Sequence, residues 1–172
     1  MAELEDGRMY YVREDNGVKG MSYVAKLVEE GYKALCFIRK KPEQVLKDSS
    51  LEELCKADSP HKDDIKFVRV IYNKLTTVDT GLDVKDISKI SAEISKFFEK
   101  NEKAVVYIGC LEFLAQANNV DNIQNFKNHI HDIIIDKNKI GIMSINSDAY
   151  DTKEFANLVS YNEELKGYGK AI

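Results

Sequence analysis

A chain of 172 residues is long enough to bury one continuous core without disulfides or metals, and a single domain over 1–172, with its core at about 8–165, is the expectation. A hydrophobic share of 44% beside 31% charged residues fits a water-soluble globular protein, and no apolar run approaches the ~20 residues of a membrane span, so no membrane insertion is expected. The formal charge of −4 creates no field to draw a polyanion, which argues against nucleic acid as the main partner.

The start, MAELEDGRMYY, carries no basic stretch followed by an apolar segment, so neither a secretory signal nor a transit peptide is visible and the cytoplasm is the expected compartment. Residues 1–6 and 166–172 are expected to fray. RMYYVR, 8–13, reads as a first strand; Gly17 and Gly20 break the pattern before a helix in which Met21, Val24, Ala25, Leu27 and Val28 recur at helical spacing and Gly31 marks the stop. KALCFIR, 33–39, is a nearly unbroken apolar run, as in a strand covered on both faces. Pro42 opens a short second helix, since a proline in the first turn lacks only an N–H that has no partner there anyway.

From 51 to 64 the chain reads as polar loop, with one or two helical turns at most in LEELCK. IKFVRVIY, 65–72, is the third strand by its β-branched and aromatic content, and a long connection containing Gly81 follows. Ile87, Ile90, Ile94, Phe97 and Phe98 line one face of the next helix. KAVVYIGC, 103–110, is a buried strand, and the helical stretch after it is expected to break at Asn118 and Asn119. KIGIMSIN, 139–146, is the last strand, and DTKEFANLVSYNEEL the last helix. Strands alternating with crossover helices predict a three-layer α/β/α sandwich around a five-stranded, mostly parallel sheet.

Ligands of such sheets bind beyond the carboxyl ends of the strands, so any chemistry is expected among the residues there. A phosphate loop needs a longer glycine cradle followed by lysine and a hydroxyl, whereas GVKGMS has glycines three apart, Met21 in the lysine position and Lys19 before the second glycine. The strand VVYIG ends in Gly109 and Cys110, without the metal-holding carboxylate of nucleotide hydrolases. A phosphorylatable receiver could use Glu14 and Asp15, but it lacks its aspartate at Tyr72-Asn73 and its lysine at Asn146-Ser147.

After the third strand stand Asn73, Lys74, Thr76 and Thr77, which form no recognised set. His129 and His131 are two apart on a helix and face different ways, so no metal site is expected. Cys36, Cys55 and Cys110 read as reduced thiols. No catalytic residue and no cofactor is assigned. Cys110, Glu112 and Asp148 are the polar centres an unrecognised enzyme would use, and Arg13, Lys19, Arg39 and Lys40 are the candidates for holding an anion.

Residues 10–46, from YYVREDNGVKGMS to KKPEQVL, resemble the amino-terminal half of the archaeal DUF835 family, and 101–158, from NEKAVVYIGC to KEFANL, resemble its second half. The family has the look of RecA/KaiC-type P-loop ATPases that have lost the phosphate loop, so the resemblance implies a degenerate P-loop NTPase-like fold and an interaction or sensory role beside archaeal signalling proteins. The aspartate and glycine of the family's DGLEYL are Gly109 and Cys110 here, while Leu111, Glu112, Phe113 and Leu114 keep the rest. The expected function is therefore a non-enzymatic module that binds another protein or a second copy of itself in signalling or regulation. The alternative is a nucleotide or anion binder that does not hydrolyse its ligand.

Overall fold

The computed structural model describes residues 3–47, 49–72 and 81–166. Chain order is β1 (Arg8–Arg13), α1 (Val18–Glu29), β2 (Lys33–Ile38), α2 (Pro42–Lys47), β3 (Ile65–Ile71), β4 (Leu82–Asp83), α3 (Ile87–Lys100), β5 (Ala104–Ile108), α4 (Leu111–Asn118), α5 (Val120–Lys137), β6 (Ile140–Ile145), α6 (Thr152–Val159) and β7 (Glu163–Glu164). The sheet order is β4-β3-β2-β5-β6-β1-β7, and every pair is parallel.

The five long strands lie where apolar runs predict them, but among the described residues the sheet has seven strands and no antiparallel member, which corrects the expected five-stranded, mostly parallel sheet. The added strands are two residues each: β4 extends the edge beside Val70 and Ile71, and β7 sits beside Tyr10 and Tyr11. Two residues leave no apolar period to read, so backbone pairing alone makes them strands.

Successive side chains of each strand serve opposite layers, as the pleat requires. Tyr10, Val12, Ala34, Cys36, Val105, Tyr107, Ile140 and Ile142 pack under α1 and α2. Met9, Tyr11, Leu35, Phe37, Val106, Ile108, Met143 and Ile145 pack under α3, α4, α5 and α6. Burial on both faces explains why the strands read as continuous apolar runs.

Local chemistry sets the helix ends. Gly31, at φ +94°, turns the chain after α1 in the left-handed region that a glycine adopts without a Cβ clash. The expected break falls at Asn119, whose φ is 65° and whose side chain caps α5 by accepting from the Asn122 N–H. Asp151 and Glu154 form a reciprocal capping box on α6.

Side chains tie down the loop after α2 and the start of the chain. Leu51 and Leu54 are buried beneath the α1 layer, and the Cys55 N–H closes one turn onto the Leu51 carbonyl at 3.1 Å, so this polar stretch is pinned by two apolar side chains. Near the amino terminus, the Glu5 N–H donates to the Tyr10 hydroxyl at 2.9 Å, and the Tyr32 hydroxyl donates to Asp6 at 3.0 Å. Residues 1–2 and 167–172, the outer parts of the expected frayed ends, lie outside the described residues.

The connections place the site. β2 hands the chain on to β3 on one side, and β5 hands it on to β6 on the other, so direction reverses between neighbouring strands β2 and β5. A crevice opens at such a reversal, beyond the strands' carboxyl ends.

Candidate functional site

A cavity of about 270 Å³ occupies that crevice, walled by the residues that follow β1, β2 and β5, with Tyr107 and Ser144 among its lining. Its first wall is the bend Glu14–Val18. Gly17, at φ +77°, turns the chain into α1. The Val18 N–H then donates to Asn16 Oδ1 at 3.1 Å, while the Lys19 and Gly20 N–H groups each donate to the Glu14 carboxylate at 2.7 Å. The leading amides of α1, where a phosphate would sit in a phosphate loop, are thus taken by the protein's own side chains.

Glu14 is held from behind as well. The Ser144 hydroxyl donates to Glu14 Oε1 at 2.6 Å, and Ser144 Oγ lies 2.7 Å from the Tyr107 hydroxyl. Because a hydroxyl has one proton and Ser144 gives it to the carboxylate, Tyr107 donates to Ser144. Burial pushes the Tyr107 hydroxyl well above its ordinary range, and the Glu14 charge adds to the effect. Tyr107, Ser144 and Glu14 thereby form one chain of hydrogen bonds from sheet to helix.

The glycines serve this packing. A Cβ on Gly20 would lie 2.6 Å from both Ser144 Oγ and Tyr107 Cε2, and one on Gly109 would lie 2.7 Å from Tyr107 Cε1. Gly20 therefore permits the approach of α1 to the sheet rather than the approach of a polyphosphate.

The second wall follows β2. The Arg39 guanidinium carbon stands 4.2 Å from the centroid of the Phe113 ring, which comes from α4, and Lys40 lines the same wall. The third wall is the start of α4. The Cys110 thiol is buried and pushed up to about 12 by that burial, with the charge of Glu112 second, so it is a protonated, packed group and not a poised nucleophile. Burial also raises the Glu112 carboxyl above its ordinary range, while an Asn146 N–H donated to Oε1 at 3.0 Å pulls it back.

The anion candidates separate. Arg39 and Lys40 line the cavity. Arg13 points to the far flank, with Nε 3.2 Å from Glu164 and its guanidinium 4.7 Å above the Phe155 ring. Lys19 contributes its backbone N–H to Glu14, and its exposed side chain is not part of the lining. Among the enzyme candidates Cys110 and Glu112 share the cavity, while Asp148 sits on an exposed turn outside it.

Asn73, Lys74, Thr76 and Thr77 lie outside the described residues. His129 is exposed and His131 pairs loosely with the Tyr161 ring at 6.3 Å; among the described residues no three His, Cys, Asp or Glu side chains converge as metal ligands. Sequence reasoning missed Tyr107, Ser144 and the capping role of Glu14. The polar Ser144 inside the otherwise apolar IGIMSI was the available clue.

These features define a three-layer α/β protein with a strand-end cleft whose helix amides are internally occupied. A profile of DUF835, a protein family of unknown function, matches residues 13–161, and the chain belongs to that family. No curated protein matches it. Among the described residues no helix is long and apolar enough to cross a membrane.

Proposed function

We propose that this protein is a non-hydrolysing sensory module of the cytoplasm, which binds a small polar ligand in the strand-end cleft and passes the occupancy on to a protein partner in an archaeal signalling or regulatory pathway. The observation that carries the reading is the occupied start of α1. Glu14 already neutralises the amides that would bind a phosphate, so the cleft offers a binding volume without phosphate-transfer machinery. The buried, protonated Cys110 thiol, and Gly109 in place of a metal carboxylate, support the same view.

Descent from RecA/KaiC-type ATPases belongs to this proposal. It is supported by a glycine-bearing bend between β1 and α1, and by an apolar β5 placed one strand away across β6. Nucleotide binding is the weaker alternative, because a triphosphate would have to displace Glu14 from two amides and Ser144.

A thermal-shift screen with small polar metabolites, run beside an ATP-hydrolysis assay, tests the reading. A ligand at 100 times its dissociation constant should add about 2.7 kcal/mol of stability, with no turnover of ATP. Steady ATP turnover that disappears in Glu112→Gln would sink it.

A further inference from the structure

The chemistry of the cleft points to a class of ligand, on the premise that the cleft is a binding site as proposed above. Its charged lining is two cations, Arg39 and Lys40, and three carboxylates, Glu14, Asp15 and Glu112. Such a balance repels a polyanion and gives a simple anion no net attraction.

The charges are also sorted in space. The cations follow β2, whereas Glu14 and Asp15 follow β1, and β5 and β6 lie between those strands. At the usual inter-strand spacing the two strand ends are about 14 Å apart, a gap that Arg39 narrows by reaching over Phe113 of α4. Arg39 is stacked on Phe113, yet among the described residues neither it nor Lys40 has a carboxylate at ion-pair distance, and Asp15 has no cation.

Glu14 cannot be the main acidic contact, because backbone amides and Ser144 already engage both its oxygens. For the body of a ligand the lining offers the apolar side chains Val18, Met21, Ile38, Val45 and Phe113, beside the polar Asn16, Gln44, Ser49 and Glu112. The 270 Å³ volume lies just below the range of drug-sized ligand pockets, in keeping with a molecule the size of an amino acid.

We propose that the cleft binds a small zwitterion, with its carboxylate on Arg39 and Lys40, its ammonium toward Asp15, and a short hydrocarbon body against Val18, Met21 and Phe113. A molecule with one charge leaves the opposite pole without a partner, so both ends are required together. This is where selectivity against its half-molecules arises.

Titration calorimetry on the full chain tests it with ω-amino acids from glycine through γ-aminobutyrate to aminocaproate, and with butyrate, butylamine, AMP and inorganic phosphate as controls. The best zwitterion should bind at least about tenfold more tightly than butyrate or butylamine, and the preference should fall by about tenfold in Arg39→Ala and in Asp15→Asn. Arg39→Lys should bind at an intermediate level, which separates loss of charge from loss of fold.

Butyrate or butylamine matching the zwitterion, or AMP or phosphate exceeding it, overturns this inference and leaves the cleft as a binding site. A zwitterion whose binding is indifferent to Arg39→Ala and Asp15→Asn also overturns it. If none of these probes binds, the inference and the reading it rests on both fall.

Discussion

The corner where β1 meets α1 and the corner where β2 meets α2 look alike in sequence, each a strand running into a polar turn with arginine at the boundary. In the fold they are opposites. At the β1 corner the strong groups other than Asp15 are used internally: Glu14 on the α1 amides and Ser144, and Arg13 on Glu164 and Phe155. At the β2 corner Arg39 rests on an aromatic face and Lys40 lines the cavity, with no carboxylate at ion-pair distance among the described residues. A saturated corner supports the architecture, and an unsaturated one facing a cavity is where a ligand gains most by supplying the missing charge.

The contrast breaks most severely at Gly20. Gly20→Ala drives a methyl group into Ser144 Oγ and the Tyr107 ring at 2.6 Å, and should cost about 3 kcal/mol, the upper range for overpacking, read as a lower urea midpoint. Glu14→Ala comes next. It strips two helix amides and Ser144 of their acceptor, so a loss of about 2 kcal/mol is expected, with Glu14→Gln recovering part of it. An unchanged midpoint in Glu14→Ala would mean that the β1 corner is not locked by that carboxylate.

Which parts were legible follows from what each element depends on. The long strands depend on burial at both faces, and Val105, Val106, Ile140 and Ile142 announce it; α2 and the α4–α5 break depend on the local chemistry of Pro42 and Asn119. β4 and β7 depend on a neighbour's backbone, which no local pattern records. The cleft was legible as a location, because strand ends can be read, and Arg39 and Lys40 were found that way. The bond from Glu14 to Ser144 was not, since it joins residues 130 positions apart and exists only once β1 and β6 pair. Arg13 lies outside the cleft for a related reason: its partner Glu164 lies at a strand invisible in sequence.

The two arginines give a milder test. Arg13 is half exposed beside Glu164, so its ion pair and ring contact together contribute about 1 kcal/mol. Arg13→Ala should lower stability by that amount and spare ligand binding. Arg39→Ala should lose about 0.5 kcal/mol from its stacking on Phe113 and should cost the zwitterion about tenfold in its preference. The pair of variants is read by denaturation and calorimetry together, and equal behaviour in both assays would erase the distinction between the corners.

The smallest effect concerns Glu112, at the cavity's third wall. Burial raises its folded-state carboxyl above the ordinary glutamate range, outweighing the Asn146 N–H that lowers it. The folded protein therefore holds this proton more tightly than the unfolded chain does. Its contribution to stability is complete below the unfolded value and is lost as pH rises through the folded one. Asp64, lowered by its hydrogen bonds to Lys33 and His61, works in the other direction, contributing above its unfolded value and losing the contribution in acid. The raw pH profile sums both, so the informative quantity is the difference between wild type and Glu112→Gln, which keeps an acceptor for the Asn146 N–H but cannot titrate. Urea midpoints followed from about pH 4 to about pH 7 should show the variant gaining on wild type as pH rises. A constant offset would place Glu112 in water, and the third wall of the cleft would then be open where the fold closes it.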